Sequence, residues 1–307
     1  MTGKQLAVGL SSADKVFFFI CHTWILLCGI VVLYPLLWTV ASSFSDSQAI
    51  AQGKVSVYPV GFTLQAYVAI FNYRTLWQGF FNQVFYTVGA TVMSTSLTLL
   101  AAYPISRRDM PFRKTIQTLF VITMFVSGGL IPSYLLMRNL HLVGTRWSQI
   151  IPAGVSVYNM ILVRTYIRTA VPDSIRESTQ MDGCGDIVFF FKFVLPLIVP
   201  VIALIVLWAV VGNWQSYFNA MIYLTKPAHQ NFQQVLRNIM ISTSPATDPA
   251  VMDAMLRSNP DALAKQMEIA NQLKYSSIVV GALPMMMLYP FIQKYFRSGV
   301  MMGSLKE

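Results

Sequence analysis

Long apolar runs separated by short polar segments dominate the chain. Residues 16–41, 81–105, 115–137, 148–170, 187–212 and 276–296 each hold a stretch with few charges. A hydrocarbon core of about 30 Å takes roughly 20 residues of helix, so each run is long enough to span it. The pattern predicts an all-α fold, a polytopic membrane protein with six transmembrane helices in a single transmembrane domain covering 1–307. The fourth run is the weakest, because Arg164 and Arg168 load its end. Prolines inside the runs, Pro35, Pro104, Pro132, Pro196, Pro200, Pro284 and Pro290, each remove one helix hydrogen bond and predict kinks.

The polar segments divide by length. Residues 42–80 open with the Ser-rich SSFSDS and continue through Gly53, Pro59 and Gly61 to an aromatic stretch from Tyr67 to Trp77. This predicts an extended cap with a short helix at the headgroup level, where Trp and Tyr are favoured. Residues 218–275 predict short helical pieces punctuated by Pro245, Pro249 and Pro260. Residues 172–186 are brief, polar and charged, between the fourth and fifth runs.

Composition agrees with a membrane protein: 55% of the 307 residues are hydrophobic and 11% charged, against about a quarter charged in soluble domains. A net charge of +10 would suggest nucleic acid in a soluble chain. Here the basic residues flank apolar runs as topology determinants do, so no nucleic-acid partner is expected. Placing both termini in the cytoplasm puts Arg107, Arg108, Arg113, Lys114, Arg164, Arg168, Arg176 and Lys192 inside. It makes 42–80 and 218–275 extracytoplasmic and 172–186 cytoplasmic. Cys21, Cys28 and Cys184 have neither metal-ligand spacing nor a disulfide pattern, so no metal site is predicted. The first run exceeds a signal-peptide core of about 7–15 residues and reads as a retained span. His22, on that apolar helix, reads as a hydrogen-bonded packing residue.

Within 172–186, Pro172 suits a first helical turn, and Asp173 and Ser174 supply a negative charge and acceptors for its unpaired N–H groups. Gly183 and Gly185 supply the freedom to end the helix and turn into the next span. A rigid knob of about ten residues, about 15 Å long, lies along the membrane face. On its residues alone it reads as an amphipathic interfacial anchor.

The spacing Glu177, Ser178, Thr179, Asp182, Gly183, Cys184, followed by Leu195-Pro196, resembles the EAA motif of bacterial ABC importer permeases. That resemblance implies a coupling helix that docks in a cleft of a separate ATPase. Ser178 and Thr179 depart from the usual pair of alanines but are also small. Residues 101–114 (AAYPISRRDMPFRK) resemble the family's basic inner loop, and a run like its second span begins at Asn82. Residues 131–152 resemble its outer turn, with His141 where glycine is common. Residues 212–224 (GNWQSYFNAMIYL) resemble the end of its fifth span, with Gln215 where asparagine is usual. The tail 293–307 is similar to the carbohydrate (maltose-type) branch. Residues 42–67 and 125–134 are similar to permeases for aldouronates, pectin fragments or alginate.

The resemblance implies an oligosaccharide importer subunit working by alternating access in the bacterial cytoplasmic membrane, multi-pass, among membrane lipid. Its implied partners are a second homologous permease, an ATPase dimer and an extracytoplasmic solute-binding protein. No GxxxxGK[ST] phosphate loop occurs in the chain, so it is not expected to be an enzyme; ATP and Mg belong to the partner ATPase.

Sugars stack on aromatic rings and pair their hydroxyls with amides. Asn82, Gln83, Tyr86 and Thr87 in the second run, and Asn213, Trp214, Gln215, Tyr217 and Asn219 after the fifth, are therefore substrate-pathway candidates. Taken singly, the Asn and Gln residues read as interhelical packing, and Trp214 and Tyr217 as interface anchors. Two other function classes remain: a permease for a non-sugar solute sharing the same motif, and an ion-coupled secondary transporter. The second is disfavoured by spans nearly free of Asp and Glu. A membrane-bound enzyme would need paired carboxylates, a triad or metal spacing, and none emerges.

Overall fold

The first apolar run forms one helix, Ser12–Ser43, whose span window has no buried residue within the chain. Its apolar surface faces outward all round, as a lipid-bounded helix requires. The structure, a computed structural model, describes residues 12–243, 270–288 and 290. These are helical or irregular, with no strand among them. Contacts divide the chain into two units, residues 1–72 with 239–280 and residues 73–238 with 281–307.

In the first unit, the Ser-rich exit is a buried knot. Ser42, Ser43, Ser45 and Ser47 are all buried. Ser45 Oγ donates to the Ala41 carbonyl at 2.6 Å and accepts from the Val60 amide at 3.1 Å. Ser276 Oγ donates to the Ser43 carbonyl at 3.1 Å, and Gln272 Nε2 to that of Ser45 at 3.2 Å. Phe44 stacks on Phe62 and Tyr67, with ring centroids 5.7 and 5.0 Å apart. Small side chains let the returning chain approach, and the Ser45 hydroxyl satisfies its Val60 amide; the hydroxyls of Ser42 and Ser47 are buried with no partner among the described residues. A short helix, Gln65–Asn72, follows, as the aromatic stretch predicts.

In the second unit, the helix Arg74–Ser106 begins before the predicted 81 and is the central pillar. Against it pack the helices Val157–Ala170 and Val199–Trp214. Met160, Val163, Val194 and Ile198 are fully buried where these elements meet. In lipid such a core is held by close packing, because its side chains gain little by leaving hydrocarbon.

Three predicted spans are bent. Arg113–Phe125 and Leu130–Asn139 meet at 112°, with Gly129 at φ 82° in the break. Arg146–Ala153 and Val157–Ala170 meet at 44°, and Asp186–Leu197 and Val199–Trp214 at 80°. Pro196 and Pro200 flank the last break, at Ile198. Neither can donate to the preceding turn, so the helix opens there. Two helices are long and apolar enough to cross a membrane, or up to five spans if each bent pair is one, among the described residues. The sixth predicted span, 276–296, is helical to residue 288 and otherwise lies largely outside the described residues, as do 244–269 of the predicted 218–275 segment.

Candidate functional site

The predicted knob is the helix Asp173–Met181. Pro172 stands one position earlier than expected: it is the capping residue, at φ −61° and ψ 145°, and Asp173 begins the helix. The Asp173 carboxylate therefore lies in the first turn, where the helix exposes its positive end. At the other end the Gly183 amide donates to the Gln180 carbonyl at 3.0 Å and the Cys184 amide to that of Thr179 at 2.9 Å. This pair of bonds is a Schellman cap, and it needs the left-handed conformation that Gly183 adopts at φ 79°.

The helix has two faces. Ile175 and Cys184 pack against the core, while Glu177, Ser178, Asp182 and Gly183 are exposed and Thr179 is half-buried. Met181 is 89% exposed, unusual for a large apolar side chain. Ser178 Oγ donates to the Ile175 carbonyl at 3.0 Å, and Thr179 Oγ1 to that of Arg176 at 2.9 Å. Both hydroxyl donors are thus satisfied by their own helix.

Charged residues tie the knob to the bundle. Arg107, immediately after the pillar helix, reaches Asp109 through Nε at 3.0 Å and Nη2 at 2.6 Å, and Asp186 through Nη1 at 2.5 Å. Arg176, on the knob, donates to both Asp109 oxygens at 3.2 and 2.9 Å. Arg108 pairs with Asp173 at 3.3 Å. Asp109 thus receives two bidentate guanidinium contacts, the geometry in which such pairs are strongest. The bonds from Arg107, then those from Arg176, hold its carboxyl well below the usual carboxylate range, and the same partners push Arg107 further up. The clamp joins the pillar's end, the following loop, the knob and the start of the 186–214 segment. Asp109 and Asp186 are not in the motif that marks the knob. The available signal was Asp109 itself, a lone acid among Arg107, Arg108, Arg113 and Lys114 in a chain with only 12 Asp and Glu.

A second polar cluster gathers several pathway candidates. Asn82, Gln83 and Tyr86 are buried on the pillar at 5%, 1% and 3% exposure. Asn82 Nδ2 donates to the Ala228 and Gln230 carbonyls at 2.9 and 3.0 Å, and the Tyr86 hydroxyl to that of His229 at 2.8 Å. Gln83 Nε2 donates to the Asn213 carbonyl at 3.0 Å and to Thr87 Oγ1 at 3.2 Å. Their donors are spent on fixing the 227–231 turn and the end of the 199–214 helix. Gly79, a turn earlier, admits that turn: a Cβ there would lie 2.8 Å from Val235 Cγ2 and 3.3 Å from the Asn231 carbonyl. Trp214 is buried against Phe80 and Phe232, and its Nε1 has no acceptor among the described residues. Gln215 and Asn219 are exposed and Tyr217 is half-exposed under Arg237, whose guanidinium lies 5.4 Å from the ring centre. His22 Nδ1 lies 2.7 Å from the Phe18 carbonyl, a local helix contact.

No family profile matches the chain. It is 33% identical over 293 residues to the polygalacturonan/rhamnogalacturonan transport system permease protein YtcP of Bacillus subtilis, covering 95% of this chain and 99% of that protein. It is 32% identical over 278 residues to protein LplC of Bacillus subtilis, covering 91% of this chain and 90% of that protein. A crystal structure of a bacterial ABC transporter involved in the import of the acidic polysaccharide alginate contains a chain with the same fold. Its TM-score is 0.80 at 27% identity, over 93% of this chain and 98% of that one.

Proposed function

Because the chain belongs to the permease subunits of carbohydrate-importing ABC transporters, we propose that it carries acidic oligosaccharides of the pectin or alginate kind across the cytoplasmic membrane. It spans that membrane six times with both termini in the cytoplasm, beside a second, homologous permease. An extracytoplasmic solute-binding protein delivers the sugar, and a pair of ATPase subunits supplies the energy from ATP and Mg²⁺.

The helix Asp173–Met181 carries this reading. Its two ends are fixed by the first-turn Asp173 and the Gly183 cap, its inner side by the arginine–aspartate clamp, and its outer side is free. A rigid projection held this way suits a coupling helix, with Glu177, Ser178 and Met181 toward the ATPase and Asp182, Gly183 and Cys184 forming its corner. Closure of the ATPases draws the coupling helices together and rocks the span bundles between two packings. The sugar route runs by Gln215, Tyr217 and Asn219, framed by Asn82, Gln83, Tyr86, Asn213 and Trp214. The acidic character of the sugar is supported by the polygalacturonan and alginate systems among the similar proteins.

The test uses the assembled complex in proteoliposomes. Oligogalacturonide or oligoalginate, presented with the binding protein, is expected to stimulate ATP hydrolysis more than neutral maltodextrin does. Glu177→Lys is expected to insert normally and lose ATPase subunits on purification. Normal co-purification together with normal uptake in that variant overturns the docking role.

A further inference from the structure

A cavity of about 450 Å³ opens beside the clamp, between the ends of the pillar and the 157–170 helix and the knob. Among the described residues, five guanidinium groups line it, those of Arg107, Arg108, Arg164, Arg168 and Arg176, with a single carboxylate, Asp173. Arg107 and Arg176 are neutralised by Asp109 and Asp186, and Arg108 by Asp173. Arg164 and Arg168 have no carboxylate within ion-pair distance among the described residues. They lie one helical turn apart, where like charges repel. Nε of Arg164 and Nε of Arg176 are buried with no acceptor among the described residues.

A surplus of positive charge with unsatisfied donors is costly at the edge of a low-dielectric layer and calls for an anion. Guanidinium groups converging from three elements match the several oxygens of a phosphate, which accept bidentate pairs. The cavity sits where two apolar helices end, and the end of a membrane-spanning helix is where lipid headgroups lie. Basic pockets between spans at that depth suit acidic phospholipids. We propose that this cavity binds the phosphate of an anionic phospholipid, with Arg164 and Arg168 as its principal ligands. The bound lipid supplies the counter-charge that the described residues lack and steadies the knob against the bundle.

The purified complex, reconstituted in phosphatidylcholine nanodiscs with or without phosphatidylglycerol, tests this by native mass spectrometry and thermal unfolding. The wild type is expected to retain one phosphatidylglycerol through delipidation and to unfold at higher temperature in its presence. The variants Arg168→Gln and Arg164→Gln/Arg168→Gln are expected to bind it progressively more weakly, by about fivefold per cation removed and so about thirtyfold for the pair. Equal retention by wild type and both variants overturns the site. Should the double variant fail to assemble, the exposed single change at Arg168 and the wild-type comparison between the two lipids still decide. Stabilisation by inorganic phosphate alone, with no added effect of phosphatidylglycerol, overturns the lipid as source in favour of a soluble anion. Retention of the lipid only after the ATPase subunits have been stripped from the complex, with the cavity's arginines protected while that partner is bound, overturns it in favour of a protein carboxylate.

Discussion

Arg176 and Asp109 are 67 residues apart in sequence, yet the guanidinium of one meets both carboxylate oxygens of the other at 3.2 and 2.9 Å. Through Arg107, which holds the same carboxylate, the knob is fastened to the end of the pillar helix. Removing either side of this pair is expected to leave the fold intact and loosen the knob. In a double-mutant cycle of Arg176→Gln and Asp109→Asn, the thermal-stability effects should be non-additive by about 0.5–1 kcal/mol, the low end for coupled neighbours, since both groups are partly exposed. Binding-protein-stimulated ATP hydrolysis should fall in each single variant while co-purification of the ATPase persists. Additive effects would show that the two side chains act independently.

The clamp also has a pH signature. Arg107 and then Arg176 hold the Asp109 carboxyl below its unfolded value, which is about 3.9. A group shifted in this direction stabilises the fold fully above the unfolded value and loses that contribution as pH falls through the folded one. The thermal midpoint should therefore show no Asp109-dependent change from pH 8 to about 5 and a loss below about 4. Asp109→Asn should be less stable than wild type at neutrality and flatter in acid. A variant that tracks wild type in parallel down to acid pH contradicts this assignment.

Gly183→Ala isolates the cap. An added Cβ there would meet nothing within 4 Å, and φ is 79°, so the cost is backbone strain alone, about 1–2 kcal/mol. Gly183→Asn, which tolerates this conformation better, should recover part of it. Hydrogen exchange at residues 179–184 is the readout, and faster exchange in the Ala variant than in the Asn variant is expected.

Asn82→Ala separates a packing role from a substrate role. The change leaves the Gln230 carbonyl without its donor and the Ala228 carbonyl with only the 3.3 Å bond from Gln78 Nε2, at a cost of about 1–3 kcal/mol for a buried unsatisfied group. A lower melting temperature with unchanged apparent affinity for sugar is expected. Reduced affinity at unchanged stability would instead place this side chain on the substrate.

The knob was legible because its signals are local: Pro172 and Asp173 start it, Gly183 stops it, and each acts within one turn. The breaks near Pro132 and Pro196 were legible for the same reason, though their size was not, because a missing hydrogen bond permits a bend whose angle is set by neighbouring helices. The clamp was not read, since Arg107, Asp109, Arg176 and Asp186 become neighbours only when two loops fold onto one another. The serine knot was not legible either. Ser42 to Ser47 give no sign in sequence of their burial, and only the returning segments around Val60 and Gln272 reveal it, meeting the hydroxyl and the carbonyl of Ser45. Asn82 and Gln83 were recognisable as polar groups facing inward, but their partners are main-chain carbonyls, which no residue type announces.

Ser178 and Thr179 turn their hydroxyl hydrogens back onto the carbonyls three residues earlier. Neither then offers a donor to a visiting surface; to a partner probing this helix, both count by their size. A motif written with two alanines is in that sense a statement about bulk, and a chain that spells it with hydroxyl residues can obey the rule while appearing to break it. Alphabets for recognising such helices would do better to group alanine, serine and threonine wherever the preceding turn has a carbonyl free to take the hydrogen.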